Sequence, residues 1–554
     1  MIKNSALILL AVICSSTAFG QSEDVILKAM QDELDRNHKE LTLKNFDRPF
    51  FIMYGLTDVK TMRVSASMGA LTNSSEDRDR MKTTTRLLVG DYDFNDESLD
   101  DNHTTGPSAM EISLPLDDDY WGIRRSFWAS TDNVYRSAAR HFEKNKQTLK
   151  ETGKTLSEIP HRRFAKVAPV KIIQSLTPAT YSLPAWEQRV RKMSGVIANA
   201  PNITNSFVFV TYSEGHKYLV NTEGLVSKIP FSNATLMMGV QLKNSDGKFS
   251  FDRETYEAKT LDQLPSDDVL LKDIQKLIQR VEANQKLAEL EEEYTGPVLL
   301  EGKAVAEALA GSILRSREGI FASDNIAKLK GLQFDEETKS ADAKIGKPII
   351  NTQITIKAKP KLTSFQGIEL TGNFILDNEG VVPPDEVTII ENGILRNLLN
   401  NRTLTSATQI ANGFSSGPGV LEVTVVQKDT DQVLKNKLIQ QAKKEGLSFA
   451  LIFRESGSRM GFANAYKVYV EDGREELIKN VSLRELSFKM WKRILGASEK
   501  YAAFNIDDVT FERSFLQTTV SMIVPQSILL EELEVKPIRM PSLKEEEYIS
   551  KPTN

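Results

Sequence analysis

Two charged residues, Lys303 and Glu307, are four apart in the sequence, directly after an apolar run. A glutamate can accept a proton or supply one oxygen ligand to a cation, whereas a lysine ammonium repels one. The spacing places both side chains on one face of a helix, where such pairs are usually solvated ion pairs worth a few tenths of a kcal/mol. By itself, the pair therefore favours a surface ion pair over a catalytic site.

The positions of histidine and cysteine limit the possible chemistry further. Residues 217–554 contain neither, and the only cysteine of the chain is Cys14. A metal site in the C-terminal half would have carboxylate ligands alone, which is uncommon for zinc. The histidines all lie in the N-terminal half, at His38, His103, His141, His161 and His216.

Lys303 and Glu307 belong to a predicted strand, tight turn and helix between Gly296 and Ser312. The Gly296-Pro297 pair interrupts the preceding pattern, and Val298–Leu300 is a short apolar run. Alanine, leucine, glutamate and lysine then follow with the spacing of a helix. Because the composition changes here from helix-rich to strand-rich, Gly296-Pro297 is the expected domain boundary.

This segment resembles the core signature of the TldD/PmbA family, also called modulators of DNA gyrase. Its peptidase members carry His-Glu-x-x-x-His after an apolar strand, with two histidines on a metal and the glutamate as general base. An ungapped match places Gly302 and Glu307 at the histidine positions and Lys303 at the glutamate position. The resemblance therefore implies a degenerate motif, with no cofactor expected in this chain and zinc only in its motif-bearing relatives.

Other stretches extend the resemblance over most of the chain. The most specific is 372–399, where a strand, an Asp-x-Glu-Gly turn at 377–380 and Ile-Ile-Glu-Asn-Gly-Ile-Leu at 389–395 fit the family position by position. Shorter stretches also resemble motifs of the family. They are Phe50, Phe51, Ile52 and Tyr54; Val89, Gly90, Asp91, Tyr92 and Phe94; Val-Asn-Thr-Glu-Gly at 220–224; and the terminal run at 525–537.

Two further features follow from the resemblance. A glycine-rich turn borders the substrate groove in the family, which implies that Asn412, Gly413, Gly417 and Gly419 form the rim of a cleft. Peptidase members also have a cysteine ligand shortly before the end of the chain, and residues 511–525 contain neither cysteine nor histidine.

The periodic patterns predict an α+β fold, with an N-terminal domain of α/β layers and long helices and a mostly antiparallel β C-terminal domain. The long helix is expected at about 117–152, with its aromatic stripe in the core. The stripe consists of Trp121, Trp128, Tyr135 and Phe142.

Two hairpins are expected from turn-forming residues. One is predicted about residues 213–216, and the other has Asn392-Gly393 at its tip, a pair that accepts the positive φ angles of a type I′ turn.

The first twenty residues have the pattern of a secretory signal: Lys3, the apolar run Ala6–Cys14 and small residues before Gln21. The predicted organisation is therefore a signal peptide (1–20), an N-terminal domain (21–294) and a C-terminal domain (295–554), in an exported protein that is periplasmic or extracellular. A lipidated Cys14 is the alternative, which the bulky Ile13 before it disfavours.

Charge and hydropathy exclude two classes of partner. The chain is 26% charged with a formal net charge of −5, and it has no run of lysine and arginine interleaved with aromatic residues. Nucleic acid is therefore not an expected partner. The N-terminal apolar run is too short to span a bilayer, so no transmembrane span is expected either.

Two functions remain open from the sequence. The resemblance implies a peptidase-related protein that binds extended peptides at a sheet edge, as the metal-free partner of a metal-bearing TldD-type paralogue or as a homodimer. The alternative is a stand-alone exported peptide-binding or scaffold protein. Catalysis by carboxylates together with Lys303 is a third, weaker hypothesis.

Overall fold

The computed structural model describes most of the chain in twelve ranges. The signal-peptide prediction, with Cys14, lies outside them, and so do most of the residues before the C-terminal strands where the family has its cysteine. The described ranges are 24–99, 114–200, 203–243, 249–314, 320–321, 329–330, 333–334, 344–406, 408–454, 463–483, 487–506 and 519–538.

The described residues form an α+β fold of two lobes. The α-helices are α1 Val25–Glu40, α2 Tyr120–Thr152, α3 Leu183–Ala198, α4 Asp267–Asn284, α5 Lys303–Leu314 and α6 Asp431–Lys444. The strands of the N-terminal lobe are β1 Pro49–Ser67, β2 Ala70–Val89, β3 Arg163–Phe164, β4 Lys171–Ile173, β5 Ile203–Asn221, β6 Val226–Lys243 and β7 Phe249–Ala258.

The remaining strands build the C-terminal lobe. They are β8 Ala288–Glu289, β9 Tyr294–Glu301, β10 Leu329–Lys330, β11 Gln333–Phe334, β12 Ile354–Ala358, β13 Ser364–Phe365, β14 Ile368–Glu369, β15 Val387–Glu391, β16 Ile394–Leu395, β17 Thr403–Leu404, β18 Val420–Val425, β19 Phe449–Phe453, β20 Ala463–Tyr469, β21 Glu475–Leu483, β22 Ile494–Ala497, β23 Tyr501–Ile506, β24 Val520–Pro525 and β25 Ser527–Pro537.

Apart from β3, the strands of the N-terminal lobe form one sheet with helices on one face. Its strand order is β2-β1-β5-β6-β4, with β7 also paired to β6. Side chains alternate between the two faces of a strand, so Tyr54 and Met62 of β1 lie on the same face. Tyr54 packs in the cluster with α1 and α2, and Met62 packs in the cluster with α3 and α4. The opposite face is left free to contact the C-terminal lobe.

The predicted hairpin at residues 213–216 is wrong. β5 continues from Ile203 to Asn221 and pairs without interruption with β1 on one side and β6 on the other. Position 215 of this strand requires glycine, because a Cβ there would be 2.0 Å from the carbonyl oxygen of Asp58 in β1. The glycine thus marks a close approach of two backbones and not a turn.

The long helix is confirmed, but its aromatic stripe is only half buried. Tyr135 and Phe142 are in the core, whereas Trp121 and Trp128 are exposed. Near the start of α2 the core positions are occupied by Ile123 and Phe127, which lie on the other side of the helix from the tryptophans. Consequently, both tryptophans lie on the solvent side.

The C-terminal lobe packs two sheets face to face. One has the order β16-β15-β12-β18-β24-β23 and the other β22-β25-β9-β19-β20-β21-β8. Their inner side chains and α5 share one core, while α6 covers the outer face of the second sheet. Gly296-Pro297 lies inside β9, and the division into domains at residue 294 stays a prediction.

The strand, turn and helix predicted between Gly296 and Ser312 are confirmed as β9 and α5, and so is the Asn392-Gly393 hairpin. Asn392 and Gly393 have φ angles of 49° and 79°, and they join β15 to β16. Gly393 also packs tightly, because a Cβ would lie 2.7 Å from the carbonyl oxygen of Ile350.

We expect Gly393→Ala to lower the free energy of unfolding by about 2–4 kcal/mol. This loss has two causes, the strain of a left-handed backbone at alanine and a clash of its Cβ with main-chain atoms. Gly446→Ala is the matched control, since Gly446 has a φ of 74° and nothing within 4 Å of its Cβ position. The control should lose only about 1 kcal/mol. Equal losses in urea titrations of the two variants would show that the clash is absent.

Candidate functional site

The three positions predicted to form a degenerate motif lie where β9 turns into α5. The strand ends at Glu301, and Gly302 turns the backbone with a φ of 59° while its N–H donates to the carbonyl of Gln526 at 2.7 Å. Lys303 then opens the helix, and its Nζ lies 3.4 Å from Glu307 Oε1. The lysine side chain is 51% exposed and the glutamate side chain 13% exposed. The structure therefore brings Lys303 and Glu307 together as the predicted ion pair.

These residues do not fit a zinc ion. Gly302 offers no ligand, and the ammonium of Lys303 occupies the space beside the one carboxylate. The neighbouring Glu301 is held by Arg454 at 2.8 Å, and Arg454 also contacts Glu475 at 3.1 Å. In the part of the chain that the structure describes, no three His, Cys, Asp or Glu side chains form a group suited to a metal.

The backbone of the motif nevertheless keeps room for a side chain at position 302. A Cβ built on Gly302 would find only the carbonyl oxygen of Arg454, 4.0 Å away. Behind it α5 is anchored in the core, with Val305, Ala308 and Leu309 fully buried. The helix is therefore a structural element whose exposed start carries the degenerate positions.

The four predicted rim residues lie in a loop that is tightly held to its own lobe. Asn412 Oδ1 accepts from the N–H of Asn400 at 2.7 Å, and its Nδ2 donates to the carbonyl of Leu398 at 2.8 Å. Gly413, Gly417 and Gly419 all have positive φ angles. Whether they border a substrate cleft stays a prediction.

Residues 413–417 also fit the Gly-x-Ser-x-Gly pattern of nucleophile elbows. That pattern requires a serine on a strand-to-helix turn with a histidine partner. Here the loop leads into strand β18, and the Oγ of Ser415 accepts from the backbone N–H of Glu379 at 3.2 Å. Ser415 therefore stabilises a turn.

That turn is the Asp-x-Glu-Gly stretch singled out in the sequence. Asp377 is buried and accepts three backbone hydrogen bonds: from Glu379 at 3.0 Å, from Val381 at 2.8 Å and from Ser415 at 3.0 Å. Burial, with the nearby charge of Glu379, raises the pKa of the Asp377 carboxyl to about 6. The turn thereby presents Glu379 and Gly380 to the N-terminal lobe.

A buried network of charges, which we call the lobe junction, joins the two lobes. It consists of Arg86, Glu97 and Glu223 from the N-terminal lobe and Glu379 and Arg402 from the C-terminal lobe. Arg86 forms ion pairs with Glu97, at 2.7 Å, and with Glu379. The other oxygen of Glu379 accepts from the backbone N–H of Arg402 at 2.6 Å. Glu379 thus connects the two arginines.

Arg402 is the most enclosed member of the lobe junction, because its side chain has no exposed surface. Its Nη2 contacts Glu223 Oε2 at 2.6 Å and donates to the carbonyl of Ala165 at 2.6 Å. The guanidinium also lies over the rings of Phe51 and Phe164, at 4.8 and 4.0 Å. Next to it, β17 of the C-terminal lobe pairs with β3 of the N-terminal lobe.

The family-like motifs of the sequence meet at this junction. The hydroxyl of Tyr92 donates to Glu223 at 2.8 Å, and Phe51 packs on Phe164 at 4.7 Å between ring centroids. Gly380 approaches Leu225 so closely that a Cβ would be 2.3 Å from it. These motifs therefore have a structural role here. No spacing pattern in the sequence indicates Arg86 or Arg402.

A comparison with protein families identifies the C-terminal half. Residues 293–537 match the model described as the PmbA/TldA metallopeptidase C-terminal domain. No curated protein sequence matches the chain significantly. Among the described residues, none of the helices has both the length and the apolar character needed to cross a bilayer.

Solved structures show the same overall fold at low sequence identity. A proposed modulator of DNA gyrase from Thermotoga maritima has 14% identity and a TM-score of 0.55, with 91% of this chain and 100% of that chain covered. A second proposed modulator, from Bacteroides thetaiotaomicron, has 10% identity, a TM-score of 0.52 and coverage of 92% and 98%. TldE from Thermococcus kodakarensis has 13% identity, a TM-score of 0.50 and coverage of 92% and 100%.

The lobe junction predicts that Arg402→Met destabilises the protein by about 3–5 kcal/mol, because it leaves Glu223 buried without its arginine partner. Arg493→Met is the control, since Arg493 is exposed and 3.7 Å from Glu531. It should cost less than about 1 kcal/mol. Comparable free energies of unfolding for both variants in urea would contradict a role for the junction in stability.

The pKa of Asp377 predicts a pH effect. Because the folded protein holds this proton up to about pH 6 and the unfolded chain does not, the stabilisation is full at low pH and disappears as pH rises through 6. Between about pH 4.5 and 7, wild type should lose about 2 kcal/mol relative to Asp377→Asn. Unfolding free energies at both pH values check this. A constant difference would mean that Asp377 titrates normally.

Proposed function

From residues 293–537, which form a C-terminal domain of the TldD/PmbA metallopeptidase family, we infer that this protein is an exported, metal-free member of a peptide-handling pair. It binds unfolded or flexible peptides as extended strands, and a paralogue with an intact His-Glu-x-x-x-His motif supplies the hydrolysis. The observation that carries this proposal is the replacement of all three motif side chains on an otherwise complete strand, turn and helix.

The chemistry of the three positions supports a metal-free chain. In the motif of the peptidase members, two neutral histidines bind the metal and a glutamate is the base. Here position 302 is glycine, and Lys303 and Glu307 form an ion pair that neutralises the carboxylate. Zinc sites need three or four ligands that are free to bind it. Nothing in residues 217–554 can supply a histidine or cysteine instead.

A free sheet edge beside α5 supports peptide binding. Within the described residues, β23 pairs on one side only, with β24, and it lies against α5. An extended peptide can add to such an edge by main-chain hydrogen bonds, with alternate side chains taken up in pockets. A peptide on β23 would run next to the helix that carries the degenerate motif. In a pair, this chain would hold the substrate peptide while the paralogue hydrolyses it.

Metal analysis of the purified protein tests the first part of the proposal. We expect substoichiometric zinc after dialysis against zinc-containing buffer, because Gly302 supplies no ligand and Lys303 repels the ion. Lys303→Gln is the matched variant that removes only the repulsion, and it should still bind no stoichiometric zinc. Stoichiometric zinc in wild type would overturn the assignment and indicate a hydrolase with unrecognised ligands.

Mixing with a motif-bearing TldD-type paralogue from the same organism tests the second part. We expect a stable complex by size exclusion and a higher kcat/KM on a flexible peptide than for the paralogue alone. The control is a paralogue whose motif glutamate is replaced by glutamine, which should form the complex without hydrolysis. A monomer that binds peptide but never joins the paralogue would instead support the stand-alone peptide-binding function.

A further inference from the structure

The outer side of α2 carries two exposed tryptophans. Trp121 is 59% exposed and Trp128 is 52% exposed, and Leu116, just before the helix, is 48% exposed. The other two tryptophans, Trp186 and Trp491, are buried. Large aromatic side chains are costly to leave in water, so an exposed pair on one helix indicates a contact surface.

The two tryptophans lie on the same side of the helix. Seven residues correspond to nearly two turns, so their Cα atoms are about 10 Å apart along the axis. The inner side of α2 is fixed in the core by Ile123, Phe127 and Val134. Arg124 holds the ring of Trp121 at 5.1 Å. The pair is therefore displayed on a rigid element, and contact with a partner needs no unfolding.

Basic residues continue this surface along the helix. Arg125, Arg140 and Lys150 are exposed, and none has an acidic partner in an ion pair within the described residues. We call these three residues, with Trp121 and Trp128, the outer face of α2.

Three acidic side chains near the outer face are paired with cations, whereas Asp117, Asp119 and Glu151 are exposed and form no ion pair among the described residues. Asp132 is 2.8 Å from Arg136, and Glu143 is 2.7 Å from Lys146. At the start of the helix, Asp118 is 2.7 Å from Arg80. Within α2 seven lysines and arginines outnumber three acidic residues, so the helix carries a positive charge in a chain whose net charge is −5.

We propose that the outer face of α2 docks on an anionic phospholipid surface. Tryptophan prefers the headgroup region of a bilayer, where its ring is half buried and its N–H can donate a hydrogen bond. Arginine and lysine next to it attract acidic headgroups. The helix lies along the surface and does not span the bilayer, which gives reversible peripheral binding.

A second copy of the chain fits this surface less well. In a two-fold contact the same patch meets itself, so the exposed cations of both copies would face each other. Such like charges repel unless anions separate them. A lipid surface provides those anions over the whole length of the helix.

Vesicle binding by the full-length protein tests the proposal. The vesicles contain phosphatidylcholine with or without 30 mol% phosphatidylglycerol, a probe composition chosen for its negative charge. Wild type should bind only the anionic vesicles, with a blue shift of tryptophan fluorescence and quenching by brominated lipid. Trp121→Phe/Trp128→Phe should abolish this fluorescence change, because Trp186 and Trp491 are buried.

Charge-reversal variants distinguish binding through the outer face of α2 from a general effect of the net charge. Arg125→Glu/Arg140→Glu should weaken binding at least about 25-fold, from about fivefold per basic residue. Lys443→Glu/Lys444→Glu, on the exposed end of α6, changes the net charge equally and should bind like wild type. All variants have the same N- and C-termini, so differences in vesicle binding among them come from the substituted residues. Circular dichroism confirms that each variant is folded.

Four outcomes would overturn the proposal. Equal binding to neutral vesicles, or equal weakening by the α6 variant, would show that the outer face is not the lipid contact. Tight binding of a single-stranded oligonucleotide without vesicle binding would assign the face to nucleic acid. Concentration-dependent dimerisation that Trp121→Ala/Trp128→Ala abolishes, again without vesicle binding, would assign it to a second copy.

Discussion

The buried guanidinium of Arg402 is the contact on which the two-lobed architecture depends. It belongs to the C-terminal lobe, yet two of its acceptors, Glu223 and the carbonyl of Ala165, belong to the N-terminal lobe. A buried ion pair contributes little net stability relative to a well-packed apolar contact, but it is costly to break. Such a contact therefore favours one relative placement of the lobes over all others.

Glu379 extends this constraint to the second arginine. Its two oxygens contact the side chain of Arg86 and the backbone N–H of Arg402, so a displacement of the turn that carries Glu379 would disturb both lobes. Asp377 and Ser415 hold that turn from behind. The glycine-rich loop after residue 412 is thus part of the support of the junction, whatever it contributes to a cleft.

Features set by local sequence could be predicted, whereas those set by distant contacts could not. The Asn392-Gly393 turn and the start of α5 follow from a few neighbouring residues, since glycine tolerates positive φ. Gly215 was misread as a turn residue because its reason is the backbone of Asp58, far away in sequence. Arg86 and Arg402 were missed for the same reason, because nothing near them in the sequence announces burial.

The α2 tryptophans show a different failure. Residues seven apart do fall on one side of a helix, but the period does not say which side faces the core. Ile123 and Phe127 compete for the same interior and are better placed, so Trp121 and Trp128 are left outside. An apolar stripe in a sequence can therefore indicate either a core or a docking surface, and only the packing partners distinguish them.

The backbone at Gly302, Lys303 and Glu307 is held in place by the packing of α5. The buried side of α5 packs between the two sheets through Val305, Ala308 and Leu309. A cation gains nothing from the amino end of a helix, whose dipole favours anions, so a metal there depends entirely on its ligands. Gly302 and Lys303 supply no metal ligand, and neither belongs to the core that holds the helix. The packing of α5 and the chemistry at its exposed start are therefore physically independent at this site.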